Sequence, residues 1–498
     1  MFEHKYFGKY IIIVALLFCM GKLLSQERPN IIFILTDDQA PWALGLSGDP
    51  NASTPNMDQL AREGAYLKNA FITTPVCSPS RISIMTGRYS SEYNVLDFIP
   101  HPKHKLYNPA YNPGIDPAST TFAEVIQDLG YVTGLVGKWH LGDWILSSDK
   151  KFHPTNHGFD YFMGLPGGGA KVENPVLEKD GTVRECKGLT TDILTDNALE
   201  FIQTYKNRSF LLCFNTRAPH SAWLPVDEDD WAPFDEMDPV LPNPGYPDLN
   251  TAKAKNDMKE YLASTRGVDR SIGKIMDLLE KLNLKKNTVI VFYSDHGYNM
   301  GHNGIRHKGN GIWLTNTIPE DAENIMGKYR PNLYDNSIKV PAFVYWPGVI
   351  KGGTVIEETI TSLDLYPTLV GMAGGEIPSD HMVRGRSIIP LLKGDKIDDW
   401  NNDYYGEYSM INYGKSFMRC FRTSEWKLVI DFLNPGRNEL YHIAFDPEEN
   451  INLYSFSNAE LDKIKSGLKL KIIQKMREIA DPLLKEESNV RLDYYLKY

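Results

Sequence analysis

Five short apolar runs stand out along the chain from a mostly polar background. They are NIIFILT (Asn30–Thr36), YVTGLVG (131–137), SFLLCF (209–214), TVIVFYS (Thr288–Ser294) and VPAFVYW (340–346). Each is strand-length and apolar at consecutive positions, so each reads as a parallel strand covered on both faces. Helical patterns lie between them. One starts at Thr54-Pro55, a cap followed by proline at the first helical position. A second, TTFAEVIQDLG, ends at Gly130, and a third spans 258–282 with an apolar stripe. Strands alternating with helices predict an α/β fold: a large mixed central sheet sandwiched by helices. After about residue 392 the texture changes. DYYGEYSM, SFMRCFRTSEWKLVIDF and NELYHIAFD read as short antiparallel strands, followed by a charged helix near 459–477. The expected organisation is a main domain over 26–390 and a smaller C-terminal α+β subdomain with an antiparallel sheet over 391–498.

Residues 1–25 read as a signal peptide, with Lys9, an apolar run from Tyr10 to Met20, then small and polar residues. The run is too short for a stable membrane span, and Phe18 stands where a lipoprotein signal before Cys19 needs a small residue. The chain is therefore expected to be exported, either periplasmic or secreted. Its 498 residues exceed what one core accommodates. The net charge of −10 argues against a nucleic-acid partner, yet a small basic pocket within it would still take an anionic substrate. Beyond the signal, Cys77, Cys186, Cys213 and Cys420 show no CxxC spacing, which excludes a disulfide framework and a tetrahedral zinc site. Cys213 reads as a buried strand residue. Cys77 differs, because its neighbours in CSPSRISIMTG are polar, rigid and cationic.

Ligands in open α/β sheets bind beyond the carboxyl ends of the strands. Asp37 and Asp38 follow the first run; Lys138, Trp139 and His140 follow the second; His220 follows the third; Asp295 and His296 follow the fourth, with Lys308 soon after. Asp37, Asp38 and Asp295 are hard oxygen donors suited to Ca²⁺ or Mg²⁺. The lysines and histidines place positive charge around an oxyanion. Together they describe a metal-assisted site for a phosphate or sulfate ester.

The ordered motifs resemble the type I sulfatases of the alkaline-phosphatase superfamily. CSPSR followed by Thr86-Gly87 is similar to the family's cysteine signature, and GKWHLG (137–142) to its second one. The order Asp-Asp, cysteine motif, GKWHLG, Pro-His, Ser-Asp-His-Gly and lysine is also kept, over about 29–390. The resemblance implies that Cys77 is oxidised to formylglycine by a separate maturation enzyme. The hydrated aldehyde would attack sulfur with one hydroxyl and expel sulfate through the other. Arg81 would support maturation and stabilise the diol. Asp37, Asp38, Asp295 and His296, with residue 77, would hold the metal, usually Ca²⁺ and less often Mg²⁺. Lys138 and Lys308 would bind sulfate, and His140 would deprotonate the second hydroxyl. His220 would bind sulfate and act as general acid, a role Lys308 could also fill. Two positions depart from the family pattern: many relatives have Asn at the position of His296, and His302-Asn303 replaces Glu-His or His-His. His302 and His307 flank Lys308 and are expected to contact a sugar.

The implied substrate is a sulfated carbohydrate. Trp42, Trp139, Trp223, Trp231 and Trp313, in or near loops, are expected to give an open aromatic surface for it. The alternatives are a formylglycine-dependent phosphodiesterase or phosphonate hydrolase, an inactive protein that binds sulfated glycans, and a plain cysteine hydrolase.

Overall fold

In the computed structural model, residues 28–108, 113–145 and 150–484 are described; the signal segment lies outside them. A ten-stranded sheet forms the main body. Its order is Thr354–Thr361, Ala65–Phe71, Phe343–Tyr345, Thr288–Ser294, Asn30–Thr36, Phe210–Asn215, Val132–Lys138, Tyr161–Leu165, Val176–Lys179 and Thr182–Glu185. Asn30–Thr36 lies at its centre, parallel to both neighbours. Four of the five apolar runs are parallel strands as expected. The fifth corrects the expectation. Only Phe343–Tyr345 of VPAFVYW pairs, and it runs antiparallel to both partners. An apolar run reports burial on two faces, not direction, and Pro341 has no N–H for a ladder.

Successive side chains of the central strand point to opposite faces. Ile31, Phe33 and Leu35 join one core with Ile82 and Ile84 of the Cys77–Thr86 helix and Phe122 of the Phe122–Asp128 helix. Ile32 and Ile34 join another with Met57 and Leu60 of the Pro55–Glu63 helix and Val268 and Ile272 of the Thr251–Lys281 helix. Each such aliphatic side chain contributes about 1.5–3 kcal/mol on full burial.

A second sheet, antiparallel, unites Asn299–Met300, Ile305–His307, Asn310–Trp313 and Tyr329–Pro331. It carries Lys308 over the end of the main sheet. The third sheet is the expected C-terminal one: Tyr404–Met410, Ser416–Arg422, Lys427–Asp431 and Glu439–Tyr441. The Ala459–Glu478 helix, capped by Asn458, packs Leu468, Ile472 and Met476 against Leu428, Ile430 and Leu440. No helix among the described residues is long and apolar enough to cross a membrane.

Candidate active site

The carboxyl ends of the parallel strands deliver their charged residues to one place. Cys77 meets them as the first residue of the Cys77–Thr86 helix, where unpaired N–H groups favour negative charge. Burial alone would raise the Cys77 thiol. Lys138 and Lys308, with His140 and His296 beside it, instead hold it well below the ordinary range.

Lys138 Nζ lies 2.7 Å from Asp37 Oδ2, and Lys308 Nζ lies 2.5 Å from Asp38 Oδ1 and 3.2 Å from Cys77 Sγ. Arg81 donates through Nε to Asp295 Oδ2 at 2.9 Å and through Nη1 to the Lys138 carbonyl at 2.8 Å. That double attachment ties the cysteine helix to two strand ends. His296 Nε2 is 3.1 Å from Asp38 Oδ1 and 3.2 Å from Asp295 Oδ1, while Nδ1 faces the Gly297 carbonyl at 3.1 Å. A carbonyl only accepts, so Nδ1 carries the proton and Nε2 offers its lone pair inward.

Two carboxylate oxygens, Asp37 Oδ1 and Asp38 Oδ2, are buried without a donor. Burial pushes the Asp295 carboxyl up to about 6, against the pull of His296 and with Asp37 adding to the rise. Unmatched buried oxygens beside mutually repelling carboxylates are what a divalent cation offsets. The donor atoms of Asp37, Cys77, Asp295 and His296 lie within 4.8 Å of one another, as do those of Asp37, Asp38 and His220. The residues therefore fit a hard divalent ion.

His140 adopts left-handed backbone, φ 60°, directly after the strand end. Its Nε2 faces the Ile99 carbonyl at 2.8 Å, which places the proton there and leaves Nδ1 without a partner. Burial lowers the His140 pKa, opposed by the neighbouring Cys77, so the imidazole is a neutral acceptor beside the reacting position. A Cβ on Gly168 would stand 2.3 Å from the His140 ring, which explains a glycine there. His220 faces the Ser221 carbonyl through Nδ1 at 2.7 Å, which frees Nε2. Burial lowers its pKa, while Asp38 and Asp37 pull it upward.

Above this floor lies a cavity of about 300 Å³, onto which Cys77, His140, His220, His307 and Lys308 open. Lys138, Asp37, Asp38, Asp295 and His296 are buried and do not line it. His307 reaches the wall with φ 85° and an Nδ1 contact of 2.8 Å to Asn310 Oδ1. His302 does not. Its ring packs against Trp42 at 5.8 Å, and its Nδ1 accepts from the Met300 N–H at 3.4 Å. The expected sugar contact of His302 is thus corrected: Asn303 and Gly304, both with positive φ, turn the chain between His302 and Lys308.

The expected tryptophan surface is also corrected. Trp42, Trp139 and Trp223 are buried, Trp231 and Trp313 are half-buried, and none lines the cavity. Their indoles serve packing, as when Trp139 Nε1 donates to the Phe152 carbonyl at 2.8 Å. The cavity instead takes Phe98, Tyr329 and Tyr413 as its aromatic lining and His101 and His104 as added polar lining. Sequence reasoning missed all five, and only the cluster of histidines 101 and 104 was visible as a signal.

A cluster of buried cations and carboxylates at the carboxyl edge of a mixed sheet, with a second antiparallel subdomain, is an alkaline-phosphatase-like arrangement. Comparison with known proteins narrows this. The sulfatase family model matches residues 29–375, and a model described as N-sulphoglucosamine sulphohydrolase, C-terminal, matches 329–478. Human arylsulfatase D is 31% identical over 430 residues, covering 76% of this chain and 70% of its own. N-acetylglucosamine-6-O-sulfatase of Bacteroides thetaiotaomicron is 27% identical, covering 93% of this chain and 89% of its own. A solved structure described as a complex with its substrate D-glucosamine-2-N,6-O-disulfate superposes with a TM-score of 0.75 at 24% identity, covering 91% of this chain and 99% of that one. The chain belongs to the sulfatase family and is a sulfuric ester hydrolase.

Proposed function

We propose that this protein is an exported sulfatase that removes sulfate from a sulfated carbohydrate, using formylglycine formed from Cys77 by a maturation enzyme and a divalent cation, Ca²⁺ in preference to Mg²⁺. The observation that carries the reading is the floor itself: Cys77 at a helix start under the charge of two lysines, and two buried carboxylate oxygens left without a donor. The relatives named for hexosamine sulfates support the substrate class. The N-terminal apolar run supports export.

Once formed and hydrated, formylglycine supplies two hydroxyls, one to attack sulfur and one whose loss of a proton expels sulfate. Asp37, Asp38, Asp295 and His296 would hold the cation, which draws on hard oxygen donors and neutralises their repulsion. Lys308 lies within reach of the residue-77 side chain and, with Lys138 behind it, offsets negative charge on the sulfate. The departing alcohol oxygen takes a proton from His220 Nε2, in the imidazolium form that Asp38 and Asp37 favour, or from Lys308 Nζ. His140 Nδ1 takes the proton from the second hydroxyl, its orientation held by the Ile99 carbonyl. Arg81 fixes the helix that carries residue 77.

The test has two arms on one active preparation. Peptide mass spectrometry should find formylglycine at residue 77, and metal analysis should find bound calcium whose chelation lowers the melting temperature. Full turnover with unmodified cysteine, or a preparation active without divalent metal, would sink the reading. Hydrolysis of hexosamine sulfates should also exceed hydrolysis of aryl phosphate.

A further inference from the structure

One wall of the cavity is aromatic and is assembled from three distant segments. Phe98 comes from the loop after the cysteine helix, Tyr329 from the edge of the second sheet, and Tyr413 from the hairpin joining Tyr404–Met410 to Ser416–Arg422. The Tyr329 and Tyr413 rings stack at 4.4 Å and 7°, and Phe98 lies 5.5 Å from Tyr413. The hairpin is fastened on both sides. Asp97 Oδ2 accepts the Ile411 and Asn412 N–H groups at 2.9 and 3.0 Å, and Asn412 Nδ2 donates to the Phe98 carbonyl at 2.9 Å. On the other side Lys415 N–H donates to the Asn324 carbonyl at 2.9 Å, and Met326 N–H to the Tyr413 carbonyl at 3.3 Å. A wall so fixed loses little freedom on binding.

The lining also carries polar groups beside that wall. His101 Nδ1 accepts the Lys103 N–H at 3.1 Å, and His104 Nδ1 accepts the Leu106 N–H at 3.2 Å. With Nδ1 accepting, each ring carries a proton on Nε2 as a donor. An apolar aromatic wall together with N–H donors matches a ligand with one C–H face and a rim of hydroxyls. A pyranose has that shape. A plain aryl group would fill the wall and leave the donors unmatched.

We infer that Tyr413 is a specificity residue: it packs against the pyranose ring that bears the sulfate ester, so the C-terminal subdomain selects the substrate for chemistry done by the main domain. This rests on the carbohydrate reading above. It adds a residue from outside every motif in the sequence.

The matured wild type, Tyr413→Ala and Tyr413→Phe are compared on N-acetylglucosamine 6-sulfate, N-acetylgalactosamine 6-sulfate and 4-nitrophenyl sulfate, with inorganic sulfate as a competitive inhibitor. For the sugar sulfate the wild type prefers, Tyr413→Ala should raise KM about 10-fold or more with little change in kcat, and Tyr413→Phe should stay within about threefold. Inhibition by inorganic sulfate should be unchanged, because sulfate is held at the floor. Tyr413→Leu keeps bulk beside Tyr329 without the ring and gives the same readout if the alanine variant is recovered poorly. An unchanged sugar KM overturns the inference, as does an equal loss of sugar and sulfate binding, which makes the hairpin scaffold only. A wild type that hydrolyses only 4-nitrophenyl sulfate overturns the carbohydrate reading, and this inference with it. That failure is distinguishable because it occurs before any substitution is made.

Discussion

Two of the buried ionic clusters among the described residues differ in one respect: only one opens onto the cavity. In the floor of the cavity, Asp37, Asp38 and Asp295 meet Lys138, Lys308 and Arg81. Where the C-terminal sheet packs on the main domain, Asp335 and Glu449 meet Lys427 and Arg422. There Lys427 Nζ is 3.0 Å from Asp335 Oδ1 and 2.6 Å from Glu449 Oε1, and Arg422 Nη2 is 3.0 Å from Asp335 Oδ2. Both clusters are withdrawn from water, and both depress a carboxyl pKa. Burial would raise Asp335, but Arg422 and Lys427 hold it low, as Lys308 does for Asp38. The difference lies in what is left over. The second cluster sets each carboxylate against a cation, Glu449 Oε1 lying 2.6 Å from Lys427 Nζ although it makes no hydrogen bond, and lines no part of the cavity. The first leaves two acceptor oxygens unmatched and opens onto it. Charge density at depth therefore does not mark function; unmatched acceptor capacity beside an opening does.

Substitutions can break this contrast. The largest effect is expected at His140. A general base contributes about 10²–10⁴-fold, and here its loss should stall the second step. His140→Ala should release one burst of alcohol equal to the matured sites, and a sulfated adduct should accumulate at residue 77 in the intact mass. His220→Ala should be slow without any adduct. Stopped-flow traces lacking a burst would remove the proposed role from His140. The melting temperature should move little in either variant.

Lys427→Met should do the reverse. It strands Glu449 without a buried cation and leaves Asp335 to Arg422 alone, a loss of roughly 3–5 kcal/mol. Denaturant unfolding should show that loss, while kcat/KM per folded molecule stays within about twofold. A large loss of turnover in the folded fraction would erase the distinction between the clusters.

Asp97 is the intermediate case, a buried carboxyl with N–H donors and no paired cation. Burial raises it to about 6, although the Ile411, Phe98 and Asn412 N–H groups lower it. The folded value lies above the unfolded one, so its contribution is full below about pH 4 and is lost as pH rises through 6. Asp97→Asn cannot titrate. Its unfolding free energy should therefore fall less than that of the wild type between pH 4 and 7, by an amount on the order of 2 kcal/mol. Parallel curves for the two proteins would show that Asp97 keeps an ordinary pKa.

The strands were legible because each apolar run had to fill two faces of a sheet. Their direction was not, and VPAFVYW proved antiparallel. The Thr251–Lys281 helix starts seven residues before its apolar stripe at Met258, since its first two turns, TAKAKND, are mostly polar and are started by the Asn250 cap. The Cys77–Thr86 helix escaped notice for the opposite reason: all ten residues are buried, so no polar face gives a period. The floor of the site was legible because its residues follow strand ends and match family motifs. The wall was not. Phe98, Tyr329 and Tyr413 lie far apart in the chain, in segments with no periodicity, and only the fold brings them together. Nearness in sequence misled at His302, where two left-handed residues turn the side chain to Trp42.

The hairpin that carries Tyr413 is fastened mostly through its main chain: the N–H groups of Ile411, Asn412 and Lys415 and the carbonyl of Tyr413 itself. Such fastening does not depend on which side chain stands at the tip. The tip can therefore be rewritten without loosening its mooring or disturbing the buried charges below. That makes it a replaceable reading head, through which one unchanged hydrolytic engine can be turned from one sulfated sugar to another by exchanging a few codons.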